Sequence, residues 1–252
     1  MNQITKVGFY NPQKPDSPLE ALNAALEGRR AQLSGSLLVL PEAFNIGTGY
    51  SRQGEIQKDP RILSELQELC ADFDICIVAG LIISGPTDRG RYPYSSAHLI
   101  DACGAGLLCH KMLSDHQGPY ETCLDGCDGH NARAYRNIAL CSLICIDCYE
   151  VHNLERHERL ETNMREVANI RYRIVCVPAY IEKSPPKFWS IPNSYRVVAN
   201  SASQIEFPQP GSFIERIDEL GNTCRLVELE ESDEPTCIKL YPLTVQIYSG
   251  FN

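Results

Sequence analysis

The chain has 252 residues, 43% of them hydrophobic and 22% charged, proportions that suit a globular protein with one substantial core. Its formal net charge of −9 argues against a nucleic acid partner, since phosphate recognition needs a basic face, and against adhesion to an anionic membrane. No apolar run approaches the ~20 residues of a membrane span, and residues 1–10 have no charged segment leading into an apolar one, so neither a span nor a signal peptide is expected.

In chain order, residues 4–10 read as a first strand. Residues 17–33 read as a helix with Leu19, Leu22, Ala25 and Leu26 on one face and Ser17 as its cap ahead of Glu20. Residues 36–40 form a second strand stopped by Pro41. A helix over about 61–72 turns Ile62, Leu63, Leu66 and Leu69 inward. Residues 75–83 are a long buried strand, and 95–100 and 105–112 a hairpin turning near Cys103-Gly104. After a loop rich in Gly, Cys and Asp (115–131), a strand is expected over 137–146, a mostly helical stretch over 151–169, and a strand over 174–177 ended by Pro178. Further strands are expected over 197–201, 211–217 and 223–228, and the polar stretch 230–235 is read as leading into a C-terminal tail.

No sequence repeat is present, yet the order of elements is roughly duplicated. Two sheets packed face to face, each covered outside by helices, would bury these runs in a single α/β domain over residues 1–252. Twelve cysteines are many, but several (Cys76, Cys141, Cys176) lie inside strand-like runs, where a thiol acts as a small apolar residue. They read as reduced, and the protein as cytoplasmic.

Three ionisable residues stand at or just past strand ends. Glu42 follows Leu-Leu-Val-Leu-Pro, Lys111 follows Gly-Leu-Leu-Cys-His, and Cys145 sits in Leu-Ile-Cys-Ile-Asp. A thiol with a pKa near 8.5 is mostly protonated at neutral pH, so a nucleophilic cysteine needs a base or a cation beside it. Glu42 and Lys111 supply one of each. Glu42 would take the thiol proton, and Lys111 with the backbone N–H of Ile146 would stabilise the oxyanion.

Leu-Pro-Glu-Ala-Phe, His-Lys-Met-Leu and Leu-Ile-Cys-Ile-Asp, in that order, resemble the three signature segments of the nitrilase superfamily of carbon–nitrogen hydrolases. Lys-Val-Gly-Phe-Tyr-Asn near the start, Val-Ala-Gly-Leu, Val-Pro-Ala, Val-Val-Ala-Asn ending at Asn200, and Gly-Ser-Phe-Ile from Gly211 extend the likeness over nearly the whole chain. The resemblance implies a four-layer αββα sandwich of two mixed sheets that pairs into homodimers or larger homo-oligomers. It implies hydrolysis of a small-molecule amide, carbamoyl compound or nitrile through a cysteine thioester, with no metal or cofactor. Carried over, Glu42 is the general base, Lys111 the stabiliser and Cys145 the nucleophile, and Glu121 is the candidate for the second glutamate found in many members. Tyr120, Ile146, Ala179 and Tyr180 are candidate substrate contacts, with Trp189 a further lining residue. An amide or carbamoyl substrate is favoured over a nitrile.

The sequence departs from the family pattern where Ile146 replaces an aromatic residue, where Cys148-Tyr149-Glu150 replaces Arg-Phe-Pro-Glu, and where Pro185, Pro186 and Pro192 interrupt a region that is often a long helix. Two other classes compete. One is a non-catalytic relative that uses the scaffold for binding or assembly. The other is a thiol-redox protein built on Cys145-x-x-Cys148, or a zinc protein using Cys123, Cys127 and His130 with Cys109-His110 upstream. His152 and His157, on a polar helix, are expected to face solvent.

Overall fold

The computed structural model describes residues 3–12, 17–46, 61–84, 93–111, 132–149, 154–179, 188–200, 211–229 and 237–244. The chain runs β1 (Lys6–Asn11), α1 (Pro18–Glu27), α2 (Arg30–Leu33), β2 (Ser36–Val39), α3 (Arg61–Phe73), β3 (Ile75–Ser84), β4 (Pro93–Asp101) and β5 (Gly104–His110). It continues with β6 (Arg133–Tyr135), β7 (Ile138–Ser142), a 3-10 turn (Cys145–Cys148), α4 (Leu154–Glu166), β8 (Tyr172–Ala179), β9 (Ser194–Asn200), β10 (Phe213–Ile217), β11 (Thr223–Glu228) and β12 (Cys237–Pro242).

Two six-stranded mixed sheets result, ordered β12-β1-β2-β3-β4-β5 and β11-β10-β9-β8-β7-β6. In each, three neighbouring strands are parallel (β1-β2-β3 and β7-β8-β9), and antiparallel strands flank them on both sides. The duplicated order expected from sequence is therefore a duplicated topology, with β12 standing to β1 as β6 stands to β7. Leu22, Leu26 and Leu66 seal the helices onto the outer face of the first sheet. Val7, Val39, Val78, Leu140, Cys176 and Val197 fill the space between the sheets. This is the αββα sandwich, and no helix among the described residues is long and apolar enough to cross a membrane.

Several expectations are corrected. The first helix breaks at Gly28, and Ser17, although extended as a cap should be, makes no side-chain capping bond; Pro18 at the first helical position begins the helix. The strand expected over 137–146 ends at Ser142, because the chain must turn before Cys145, which adopts φ +49°. Pro178 does not end β8, which runs on to Ala179. By that point its neighbour β7 has already stopped, Ser142 pairing with Cys176, so position 178 no longer needs a ladder bond on that side. Residues 237–242 are not tail but an edge strand, Ile238 buried under α1 and the chain pairing with β1.

At the end where β1, β3 and β7 begin, side chains tie the sheets together. Asn137 imitates a strand neighbour: its Oδ1 accepts from the Ile4 N–H at 2.8 Å and its Nδ2 donates to the Ile4 carbonyl at 2.9 Å. Tyr135 of the second sheet donates its hydroxyl to Asp101 of the first at 2.5 Å. Its one proton being committed there, the Cys76 thiol 2.9 Å away is the donor in their contact.

Candidate active site

Glu42 lies three residues past the end of β2 and Lys111 one past β5, at the same end of the first sheet. Both are buried, 2% and 3% exposed, and Lys111 Nζ donates to Glu42 Oε1 at 2.9 Å. Ser95 of β4 donates its hydroxyl to the same oxygen at 3.0 Å, while its carbonyl accepts the Lys111 N–H at 2.9 Å. Ser95 thus fixes both partners, and the sequence offered no signal for it. Two charges taken out of water together need this kind of geometry to persist.

Backbone detail aims these groups. β4 and β5 slip register between Ala97 and His98, so one residue of β5, Leu108, has no opposite number. Leu108 and Cys109 consequently both face the inter-sheet core. The bulge reverses the strand's alternation, and the strand-end lysine two residues beyond Cys109 falls on the inward side. On β3, a Cβ at Gly80 would lie 2.7 Å from Glu42 Cα, 2.7 Å from Pro178 Cβ and 2.8 Å from the Pro41 carbonyl. Glycine there lets the Glu42 loop seat against the end of β8 in the opposite sheet. Ala43 follows with φ +56°, a left-handed conformation that non-glycine residues keep only where the surroundings impose it.

Cys145 opens the 3-10 turn after β7, is 8% exposed and also has positive φ. The Ser142 hydroxyl at the foot of this turn donates to the Cys176 carbonyl at 3.1 Å and also contacts the Cys109 thiol of β5. Through that contact the ends of β5 and β7, bearing Lys111 and Cys145, face one another across the sandwich. The strand ends thus gather a carboxylate, an ammonium and a thiol at one end of the fold. Burial keeps the other core thiols (Cys70, Cys76, Cys109, Cys141, Cys148, Cys176) protonated, their pKa values all pushed up. The Asp147 carboxylate adds to that effect at Cys109.

Ala179 closes β8 at this same end, packed into the inter-sheet core. Ile146 follows Cys145 in the turn; its side chain, and Tyr120, Glu121 and Tyr180, lie outside the described residues, as do Cys123, Cys127, His130 and His152. Among the described residues no three His, Cys, Asp or Glu side chains converge as a metal site would require. Cys148 is a free thiol 1% exposed, and its Sγ donates to the Cys145 carbonyl at 2.7 Å.

The expectation that His157 faces solvent is overturned: it is 2% exposed. His157, Leu160 and Met164 recur at i, i+3 and i+7 along α4, and all three are buried. That spacing is a helical core stripe and was readable in the sequence; the histidine masked it by looking polar.

No family model and no curated protein matches the sequence. Solved structures do. An amidase from Nesterenkonia sp. AN1, in a glutamate-to-glutamine variant with acrylamide added to its active-site cysteine, aligns with TM-score 0.66 at 18% identity, over 95% of this chain and 93% of that one. A cysteine-to-alanine variant of the same amidase in complex with butyramide aligns with TM-score 0.64 at 18% identity, over 96% and 91%. A carbon–nitrogen hydrolase from Helicobacter pylori G27 aligns with TM-score 0.59 at 14% identity, over 94% and 88%. Through nearly its whole length, this chain has the fold of the nitrilase-superfamily amidases.

Proposed function

We propose that the chain is a hydrolase of non-peptide carbon–nitrogen bonds, with Cys145 as nucleophile, Glu42 as general base and Lys111 as stabiliser, acting on a small-molecule amide. The observation that carries this reading is the buried Lys111–Glu42 pair, braced by Ser95, at the strand ends opposite the Cys145 turn. A carboxylate and an ammonium at that depth beside a thiol are the groups the thiol needs for acyl transfer.

The Cys145 sulfur attacks the amide carbon as its proton passes to Glu42. The negative charge moves to the carbonyl oxygen, met by the Lys111 ammonium and the Ile146 N–H; one such donor is worth roughly 3 kcal/mol. The C–N bond then breaks, the amine leaves with the proton held on Glu42, and a thioester remains. Water attacks the thioester, giving its proton to Glu42, and Cys145 is released with the carboxylic acid product. Glu121 is proposed as the second carboxylate orienting Lys111. The amide class draws support from the amidases that share the fold; carbamoyl compounds and nitriles follow in order, and self-association into a homodimer or larger assembly belongs to the same proposal.

The test is a panel of small aliphatic amides, carbamoyl compounds and nitriles, with wild type and Cys145→Ala compared. Turnover by wild type, falling at least ~10³-fold in the variant with an unchanged thermal midpoint, is the expected result. Turnover retained by Cys145→Ala would overturn the mechanism.

A further inference from the structure

The 3-10 turn that carries Cys145 is gripped from behind by two residues on separate elements. His157 Nε2 of α4 lies 2.9 Å from the Asp147 carbonyl, and since a carbonyl only accepts, that nitrogen carries the proton. The Trp189 backbone N–H donates to the Cys148 carbonyl at 2.8 Å. The His157 ring and the Trp189 indole stack, centroids 4.4 Å apart and planes within 13°. The Trp189 carbonyl in turn accepts from Arg196 Nη1 of β9 at 2.6 Å, and Arg196 is ion-paired with Glu215 of β10, both nearly inaccessible. Beside this, Phe188 bridges Tyr149 and meets its ring edge-on at 5.9 Å. A line of contacts therefore runs from β10 through β9 and Trp189 to the reactive turn, with α4 closing it from the other side.

We infer that His157 and Trp189 are positioning residues that hold Cys145 in its left-handed conformation and so set where its sulfur points. A non-glycine residue keeps φ +49° only where its surroundings over-determine it. Inside the turn itself the Asp147 N–H donates to the Ile144 carbonyl at 3.0 Å and the Cys148 thiol to the Cys145 carbonyl. The two outer donors add restraint from α4 and from the Trp189 segment. Loosened, the turn relaxes towards negative φ, and the sulfur swings away from the Lys111–Glu42 pair. This inference rests on Cys145 being the activated thiol of the proposed reaction.

The experiment is iodoacetamide labelling of the full-length protein across a pH series, with peptide mapping, on wild type, His157→Phe, His157→Gln and Trp189→Leu. The exposed Cys103 and Cys224 serve as references in the same digest. His157→Phe keeps the stack and loses the donor; Cys145 labelling at neutral pH should slow about tenfold and its pH midpoint rise towards that of the references. His157→Gln restores a donor and should recover most of the rate. Trp189→Leu removes the stack, keeps the backbone donor, and should slow labelling about threefold, which carries the test if His157→Phe does not fold. A Cys145 profile in the variants superimposable on wild type, or equal impairment of His157→Gln and His157→Phe, overturns the inference. Amide turnover is read separately on wild type. An inactive wild type whose labelling still responds to His157→Phe sinks the hydrolytic reading and upholds the positioning role; an active wild type with unresponsive labelling does the reverse.

Discussion

At the far end of the sandwich the Tyr135 hydroxyl joins Asp101 and Cys76 across the sheets, and Asn137 clasps both backbone groups of Ile4. At the candidate-site end each key group is gripped from its own sheet, while Ser142 reaches the Cys109 thiol and the Glu42 loop packs against Pro178 across the sandwich. Ser95 and Lys111 hold Glu42 from the first sheet; His157 and Trp189 hold the Cys145 turn from the second. Both ends bury polar atoms and both join the halves, but the near end also gathers a carboxylate and an ammonium from one half and a thiol from the other. Strain divides the same way at the site: Glu42 is followed by a left-handed residue and Cys145 is one.

The largest expected effect comes from breaking the near end. Lys111→Met leaves the Glu42 carboxylate buried without its cation, which should cost about 3–5 kcal/mol of stability. The same change should lower amide turnover by on the order of 10²–10³-fold. Chemical denaturation and steady-state kinetics on the one variant read both losses, and a loss of stability with turnover intact would separate the pair from catalysis.

Next is a pH effect on the outer face of the first sheet. Burial, reinforced by the neighbouring His110, pushes His98 down to about 4 from an ordinary 6.5, so it is neutral in the folded protein at pH 6. The unfolded chain binds the extra proton between those values, so stability rises with pH through that window and falls as pH drops from 6.5 towards 4. The full loss below pH 4 is roughly 3 kcal/mol. His98→Gln should flatten the denaturation free energy across that window; an unchanged slope would assign the acid sensitivity to other groups.

Smallest, and the sharpest probe of the contrast, is Tyr135→Phe. It removes a hydrogen bond to a carboxylate and the acceptor of the Cys76 thiol, and should cost about 2 kcal/mol. Turnover under conditions where the variant is folded should stay within about twofold, since additivity holds between distant sites. A large drop in kcat would mean that the far staples control the reactive geometry directly rather than through stability alone.

Most regular elements were legible because their apolar periods are clear: the buried run of β3, and Leu66 within the inward stripe of α3. β6 and β12 were not. The first has three residues, and the second follows a charged stretch that reads as an end; both gain their structure from a partner strand rather than from their own pattern. At the site, Glu42, Lys111 and Cys145 could be named because each ends an apolar run with a reactive group. Ser95 gave no sign, since a serine beside a second serine in a strand has no distinguishing spacing. His157 did give one, in step with Leu160 and Met164, and was discounted for its polarity.

By itself the sequence determined the layered α/β architecture and pointed to Glu42, Lys111 and Cys145 as candidates at strand ends, because periodicity and punctuation are local properties of the chain. Tertiary structure alone decided which way those residues point. The bulge that turns the end of β5 inward, the close approach at Gly80, and the left-handed Cys145 held by His157 and Trp189 all depend on atoms distant in sequence. A one-residue slip or a change in the sign of φ redirects a side chain while leaving the hydrophobic pattern that encodes the fold almost untouched.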